Sequence, residues 1–305
     1  MKGYLYRKAL QLIATGKIWA LYLFALSGLL MSMSALALTP QTITFGALAD
    51  VNIVDGNVTL VATSPAGGVT FATTTPTICS VSANTVYSLG GGICSITASD
   101  AGNATYAPAA DVVQTFTFIK IVQSITFGAL SDKAFGDATF SISATAPVSS
   151  ATLYASTTSA VCTVTGSGTN GQVTIVSVGT CSIDASNPGN NFFQPASVVT
   201  QSFTVNKGAQ TITFPVLAHL FFSDGIISAE ATISSSLPIT YTSGNLLSCT
   251  ISGNVITMLS TQRGRCQITA SQAGDSNYFA ATDAFREFDI LAGSQTITFG
   301  ALSAK

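Results

Sequence analysis

The pentapeptide QTITF stands at Gln41 to Phe45, returns as QSITF at Gln123 to Phe127, and recurs at Gln210 to Phe214 and at Gln295 to Phe299. The starts lie 82, 87 and 85 residues apart. Self-similarity at a fixed period sets the architecture before any residue is read for chemistry: one module repeated three times, then the opening strand of a fourth. The expected divisions are a leader at 1–37, modules at 38–122, 123–209 and 210–294, and an incomplete copy at 295–305. Repetition of this kind serves reach and display, with ligands written in variable loops, so it predicts a class of job and no named partner.

The first forty residues carry a separate message. Lys2, Arg7, Lys8 and Lys17 precede an uncharged apolar run from Ile18 to about Met33, and Ala35-Leu36-Ala37 supplies small residues at the spacing a signal peptidase accepts. The expectation is an export signal cut after Ala37, next to Thr39-Pro40. The alternative is an uncleaved anchor, because the 21 residues from Ile18 to Leu38 carry no charge and suffice to cross a hydrocarbon core of roughly 30 Å. Either way the repeats leave the cytoplasm, to the cell surface or medium, or to the periplasmic side if the anchor stays.

Without residues 1–37 the chain keeps 7 Lys and Arg against 13 Asp and Glu, a formal charge of −6. Nucleic acid and anionic lipid call for clustered cations, so neither is an expected partner, and a membrane contact would run only through the N-terminal segment. Charged residues make up 8% of the chain, which leaves solubility to Ser, Thr and Asn. Abundant Thr and Val with few helix formers predict strands almost throughout.

Strand signals fall in the same order in each copy. Ile43 and Phe45 alternate with Thr42 and Thr44, as do Ile125 with Phe127 and Ile212 with Phe214, giving the opening strand one apolar and one hydroxyl face. A second strand is expected through Val58, Leu60 and Ala62, matched by Phe140, Ile142 and Ala144, and by Ile227, Ala229 and Ala231. Asp50 and Asp55 between these strands recur as Asp132 and Asp137, with His219 and Asp224 in the third copy. Short acidic side chains at such places suit turns. Calcium is the sharper alternative, and two carboxylates per loop are few for it. Each module closes on an alternating strand: Gln114 to Phe118, Gln201 to Val205, and Phe285 to Ile290.

The six cysteines come as one pair per module: Cys79 with Cys94, Cys162 with Cys181, and Cys249 with Cys266. Period two places each on a face with Val, Ile and Ala, pointing inward. An even count in an exported chain reads as disulfides within each module, worth about 3 kcal/mol apiece in the chain-entropy model. The alternative is six small buried thiols. Between the paired cysteines lies a hairpin, turning at Ala83-Asn84 in the first copy and Gly253-Asn254 in the third. Three strands in one meander would hold the two cysteines about 9.6 Å apart, beyond the reach of a disulfide at about 7 Å. The third strand is therefore expected to cross to an opposite sheet, making each module a sandwich.

A further turn recurs at Ala101-Gly102-Asn103 to Tyr106, Pro188-Gly189-Asn190 to Phe193, and Ala273-Gly274-Asp275 to Tyr278. Gly with Asn or Asp permits positive dihedrals, and the aromatic can fold over the end of the core. A tyrosine corner is the expected role of Tyr106 and Tyr278, with glycan platforms the alternative. Taken together, QTITFGAL, Cys-Ser/Thr-Val/Ile, Gly-x-Cys-x-Ile-Thr-Ala and Ala-Gly-Asn-x-x-Tyr resemble the bacterial immunoglobulin-like repeats found in tandem in large exported and surface-attached proteins. The likeness covers Gln41 to Lys305. It departs at Pro215, at Asn187-Pro188 and at a longer hairpin loop over Gly166 to Gly171. It implies an all-β chain of tandem immunoglobulin-like Greek-key sandwiches preceded by a signal helix. The only tryptophan, Trp19, lies in the leader, and the cysteines are too close in sequence for an antibody domain.

Linkers of four or five residues, such as Asn206-Lys-Gly-Ala209, predict a semi-stiff rod. No paired-carboxylate, Ser-His-Asp or phosphate-cradling pattern is recognisable, and no cofactor or metal site is expected. The single histidine, His219, reads as a turn residue, and Arg263 with Arg265 as a solvated loop. The chain is expected to be a non-enzymatic exported stalk or adhesive arm. Alternatives are a module binding surface glycans or proteins, and the accessory region of a longer secreted hydrolase.

Overall fold

The computed structural model describes residues 37–148, 151–218, 220–221, 226–244, 248–259, 264–292 and 296–301. The leader up to residue 36, His219, Asp224 and Arg263 therefore lie outside the described residues. Two compact units divide between Ile119 and Lys120.

The first unit contains β1 (Thr44–Phe45), β2 (Val51–Asn52), β3 (Val58–Thr59), β4 (Ala62–Thr63), β5 (Thr70–Thr73), β6 (Cys79–Ser82), β7 (Thr85–Ser88), β8 (Gly92–Ser99) and β9 (Val112–Ile119). One sheet has the order β3-β7-β6, with β1 paired to β4; the facing sheet has the order β2-β9-β8-β5. The expected second strand is split in two. Val58 pairs with Val86 of β7, and Ala62 pairs with Phe45 of β1, because the chain leaves one neighbour to reach the other. Leu60, between the two pieces, is 2% exposed and donates its N–H to the Asn84 carbonyl at 2.7 Å.

With β3 and β4 counted as one strand, the first, second, fifth and fourth strands form one layer and the third, sixth and seventh the other. That order is the immunoglobulin-like sandwich, with β2 added parallel to β9. Its core holds Leu60, Val86, Ile96, Phe116 and Phe118 around both cysteines.

The second unit repeats the plan twice. Its first sandwich has β10 (Thr126–Phe127), β11 (Lys133–Ala134), β12 (Phe140–Ile142), β13 (Ala144–Thr145), β14 (Leu153–Ser156), β15 (Cys162–Ser167), β16 (Asn170–Ile175), β17 (Gly179–Asn187) and β18 (Ala196–Asn206). Its second has β19 (Ile212–Thr213), β20 (Leu220–Phe221), β21 (Ile226–Ser228), β22 (Thr232–Ile233), β23 (Thr240–Ser243), β24 (Cys249–Ser252), β25 (Val255–Met258), β26 (Gly264–Ser271) and β27 (Ala284–Leu291). Each has its own buried core.

One correction concerns Gly166 to Gly171. These residues extend the hairpin rather than loop out, pairing Gly166 with Gly171 and Ser167 with Asn170. Ser167 then lies opposite Leu153 of β14, which joins the two layers into one rolled sheet ordered β11-β18-β17-β14-β15-β16-β12. The stretch Thr296–Ala301 has no strand pairing, with Ile297 83% and Phe299 88% exposed. Among the described residues no helix is long and apolar enough to cross a membrane.

Candidate functional site

Three disulfides close the cores: Cys79–Cys94, Cys162–Cys181 and Cys249–Cys266, with Cα separations of 5.8, 5.7 and 5.7 Å. In the first and third sandwiches the bond runs from the edge strand of the three-stranded sheet, β6 or β24, to an inner strand of the facing sheet, β8 or β26. All six cysteines are fully buried. Hydroxyls gather on the first sulfur of each pair: Thr73 at 3.2 Å in the first module, Ser156 at 3.4 Å in the second and Ser243 at 3.3 Å in the third. A disulfide sulfur has no proton, so these hydroxyls are the donors.

A second recurring device is a buried glutamine that opens each repeat. Gln41, Gln123 and Gln210 are 9%, 6% and 7% exposed. Each donates through Nε2 to the carbonyl just after the turn aromatic: Ala107 at 2.9 Å, Gln194 at 2.8 Å and Phe279 at 2.7 Å. Two of them also donate across the core end, Gln123 to Asn187 Oδ1 at 3.2 Å and Gln210 to Gln272 Oε1 at 2.6 Å. Sequence reasoning passed over these glutamines. The signal was available, since period two puts Gln41 on the same face as Ile43 and Phe45.

The first copy has a carboxylate, Asp100, where the others have Asn187 and Gln272. It is 3% exposed and accepts from the Ser64 hydroxyl, from Gly102 N at 2.7 Å and from Gly68 N at 3.2 Å. The Ser64 and Gly102 bonds, opposed by burial, hold its pKa below the usual carboxylate value. In all three copies the residue here receives the turn glycine's N–H, from Gly102, Gly189 or Gly274. Those glycines have φ between 73° and 78°, and a Cβ on any of them would strike the turn's own carbonyls.

The turns hold the incoming chain. Thr39 donates to Thr105 O at 2.8 Å and accepts from Ala107 N at 2.9 Å; Ile121 does the same with Phe192 and Gln194, and Gly208 with Asn277 and Phe279. Lys120 and Lys207 add bonds from Nζ to Asn190 O at 2.8 Å and Asp275 O at 2.5 Å. Each linker is thus bonded to the module it enters.

The turn aromatics divide in role. Tyr278 stacks edge-on against Phe135 of the preceding sandwich, centroids 5.2 Å apart, while Val178 N donates to Asn277 Oδ1 at 3.1 Å beside it. The hydroxyl-to-backbone bond expected of Tyr106 and Tyr278 is made by Tyr154 and Tyr241, which accept from Ala144 N at 2.7 Å and Ala231 N at 3.2 Å.

The acidic turn positions cap neighbouring backbone. Asp50 accepts from Thr117 N at 2.6 Å, Asp132 from Thr204 N at 2.7 Å, and Asp137 from Ala134 N at 2.9 Å. Among the described residues no group of three or more His, Cys, Asp or Glu could hold a metal ion. Arg265 is on β26 and not in a loop: it bridges Glu287 at 3.2 Å and Asp289 at 3.6 Å across the sheet.

No protein-family model matches the chain. No curated protein sequence matches it either. Among solved structures, Drosophila N-cadherin EC1-4 is similar at 11% identity, covering 84% of this chain and 73% of that one with a TM-score of 0.28. The Sidekick-1 immunoglobulin domains 1-5 are 15% identical, covering 82% and 59% with a TM-score of 0.38, and the D00-D0 domain of Intimin is 12% identical, covering 54% and 98% at 0.21. Scores this low carry no functional argument. The class is set by the chain's own strand order: immunoglobulin-like sandwiches in tandem, each with an internal disulfide.

Proposed function

We propose that this is a non-enzymatic exported repeat protein acting as a cell-surface stalk or adhesive arm, built from modules at 38–122, 123–209 and 210–294 behind a signal at 1–37. The observation that carries it is the combination of a sulfur bond inside every sandwich with linkers bonded to the module they enter. Disulfides persist in oxidising compartments, and a linker tied to the turn of the module it enters fixes how the chain comes into that module. Caps, clamps and packing employ the polar side chains named above. The test is to tag the chain in the cell that makes it, expose intact cells to protease, and compare attachment of cells with and without it. Surface cleavage and reduced attachment are the expected results; a protected, cytoplasmic chain with free thiols would overturn the reading.

A protein-binding role is favoured by one observation, an open strand edge beside a cleft in the first sandwich.

A further inference from the structure

The second sandwich closes an edge that the first leaves open. Extension of β15 and β16 by two residue pairs brings Ser167 opposite Leu153, and Gly168 N donates to Thr152 O at 2.7 Å. The Tyr154 hydroxyl secures the join by donating to Gly168 O at 3.0 Å. In the first sandwich the hairpin turns early, at Ala83-Asn84, and does not reach β5.

The parity of β5 follows from Thr74 N, which donates to Ser95 O at 3.1 Å. Hydrogen-bonded pairs alternate along an antiparallel ladder, so Thr70 and Ala72 direct their backbone groups at β8, while Val69 and Phe71 turn theirs to the open side. Val69 and Phe71 are the counterparts of Thr152 and Tyr154. Between this edge and the hairpin turn lies a cleft of about 450 Å³, lined by Val69, Thr70, Phe71, Ala83 and Asn84. None of these is charged.

We propose that this cleft docks an extended, uncharged segment of a partner protein, which adds antiparallel to β5 and hydrogen-bonds to Val69 and Phe71. The second sandwich shows what fits such an edge: a strand of small neutral residues, Gly166-Ser167-Gly168. Phe71, without the hydroxyl of Tyr154, leaves an apolar wall for one small side chain. A charged side chain would be desolvated there with no counter-ion.

The inference rests on the adhesive-arm reading, and its failure would leave the stalk untouched. The probe is a synthetic peptide of Thr163 to Gly171, TVTGSGTNG, added in excess to the exported chain while amide hydrogen exchange is followed over residues 69–73. Several-fold slower exchange there is expected. It should disappear when Ala83-Asn84 is replaced by Gly-Ser-Gly-Thr-Asn-Gly, which closes the edge internally, with formation of Cys79–Cys94 reporting that the variant folds. It should also disappear, in the unaltered chain, with a peptide carrying Lys in place of the residue corresponding to Gly166, which the register sets opposite Phe71 on the cleft face, whereas Ser167 lies on the exposed face. Unchanged exchange with TVTGSGTNG, or equal slowing with the Lys peptide, would overturn the proposal.

Discussion

Gln123 sits where a repeat begins, on the apolar side of its strand, and directs its amide hydrogens to the turn that also holds the incoming chain. Its replacement by Ala would leave the Gln194 carbonyl and Asn187 Oδ1 short of a donor, and the expected loss is about 1–3 kcal/mol by urea unfolding. Thr42→Ala, on the exposed face of the equivalent strand in the first module, should change stability by less than about 0.5 kcal/mol. Asp100 gives the first module a pH dependence that its relatives, with Asn187 and Gln272, do not share. A carboxylate held below its unfolded pKa contributes stability that is present above the unfolded value, near 3.9, and lost as pH falls through the folded value. Urea midpoints measured downward from pH 5 should fall for the first module, and Asp100→Asn should flatten that limb. At this scale the sequence was read for cysteines, turns and alternation; the cysteine pairs and the inward faces match the structure, while the corner expected of Tyr106 and Tyr278 falls to Tyr154 and Tyr241. The glutamines were missed because a polar residue on an apolar face was taken as part of a motif instead of being asked what it bonds to.

Among the elements, strand identity was legible and strand continuity was not. Alternation through Val58, Leu60 and Ala62 is what a single strand would show, yet β3 and β4 pair with different neighbours. Periodicity reports which side chains face inward; it does not report a change of partner. The hairpin over Gly166 to Gly171 misled for a similar reason, since glycines suggest a loop. Gly166 at φ 93° and Gly171, where a Cβ would press on the Tyr154 ring, are needed instead for the tight crossover between layers. The distance argument put the two cysteine strands in opposite sheets, which holds in the first and third modules; in the second, β15 and β17 flank β14 in one rolled sheet, and the roll still brings Cys162 and Cys181 to a Cα separation of 5.7 Å. Removing one disulfide, as Cys79→Ala with Cys94→Ala, should cost the first module about 3 kcal/mol, read as a lowered urea midpoint of that module alone.

For the molecule as a chain of modules, the repeat period revealed the plan, while the joints had no legible signal. Tyr278 looked like a feature of its own turn, and only the fold brings Phe135 and Val178 to it within the second unit. Gly208 passes through this joint so closely that a Cβ would meet the Phe135 carbonyl and, at 3.1 Å, the Tyr278 ring. Spin labels on the second and third sandwiches should therefore give a narrow distance distribution, broadened by Tyr278→Ala and shifted by Gly208→Ala. An equally broad distribution in the unaltered chain would remove the joint.

The account depends on each sandwich being closed by its own sulfur bond, outside the reducing cell interior. Peptide mapping of the exported chain without reductant tests this most directly. It should find Cys79 linked to Cys94, Cys162 to Cys181 and Cys249 to Cys266. Free thiols at these positions, or a cysteine of one module linked to that of another, would contradict it.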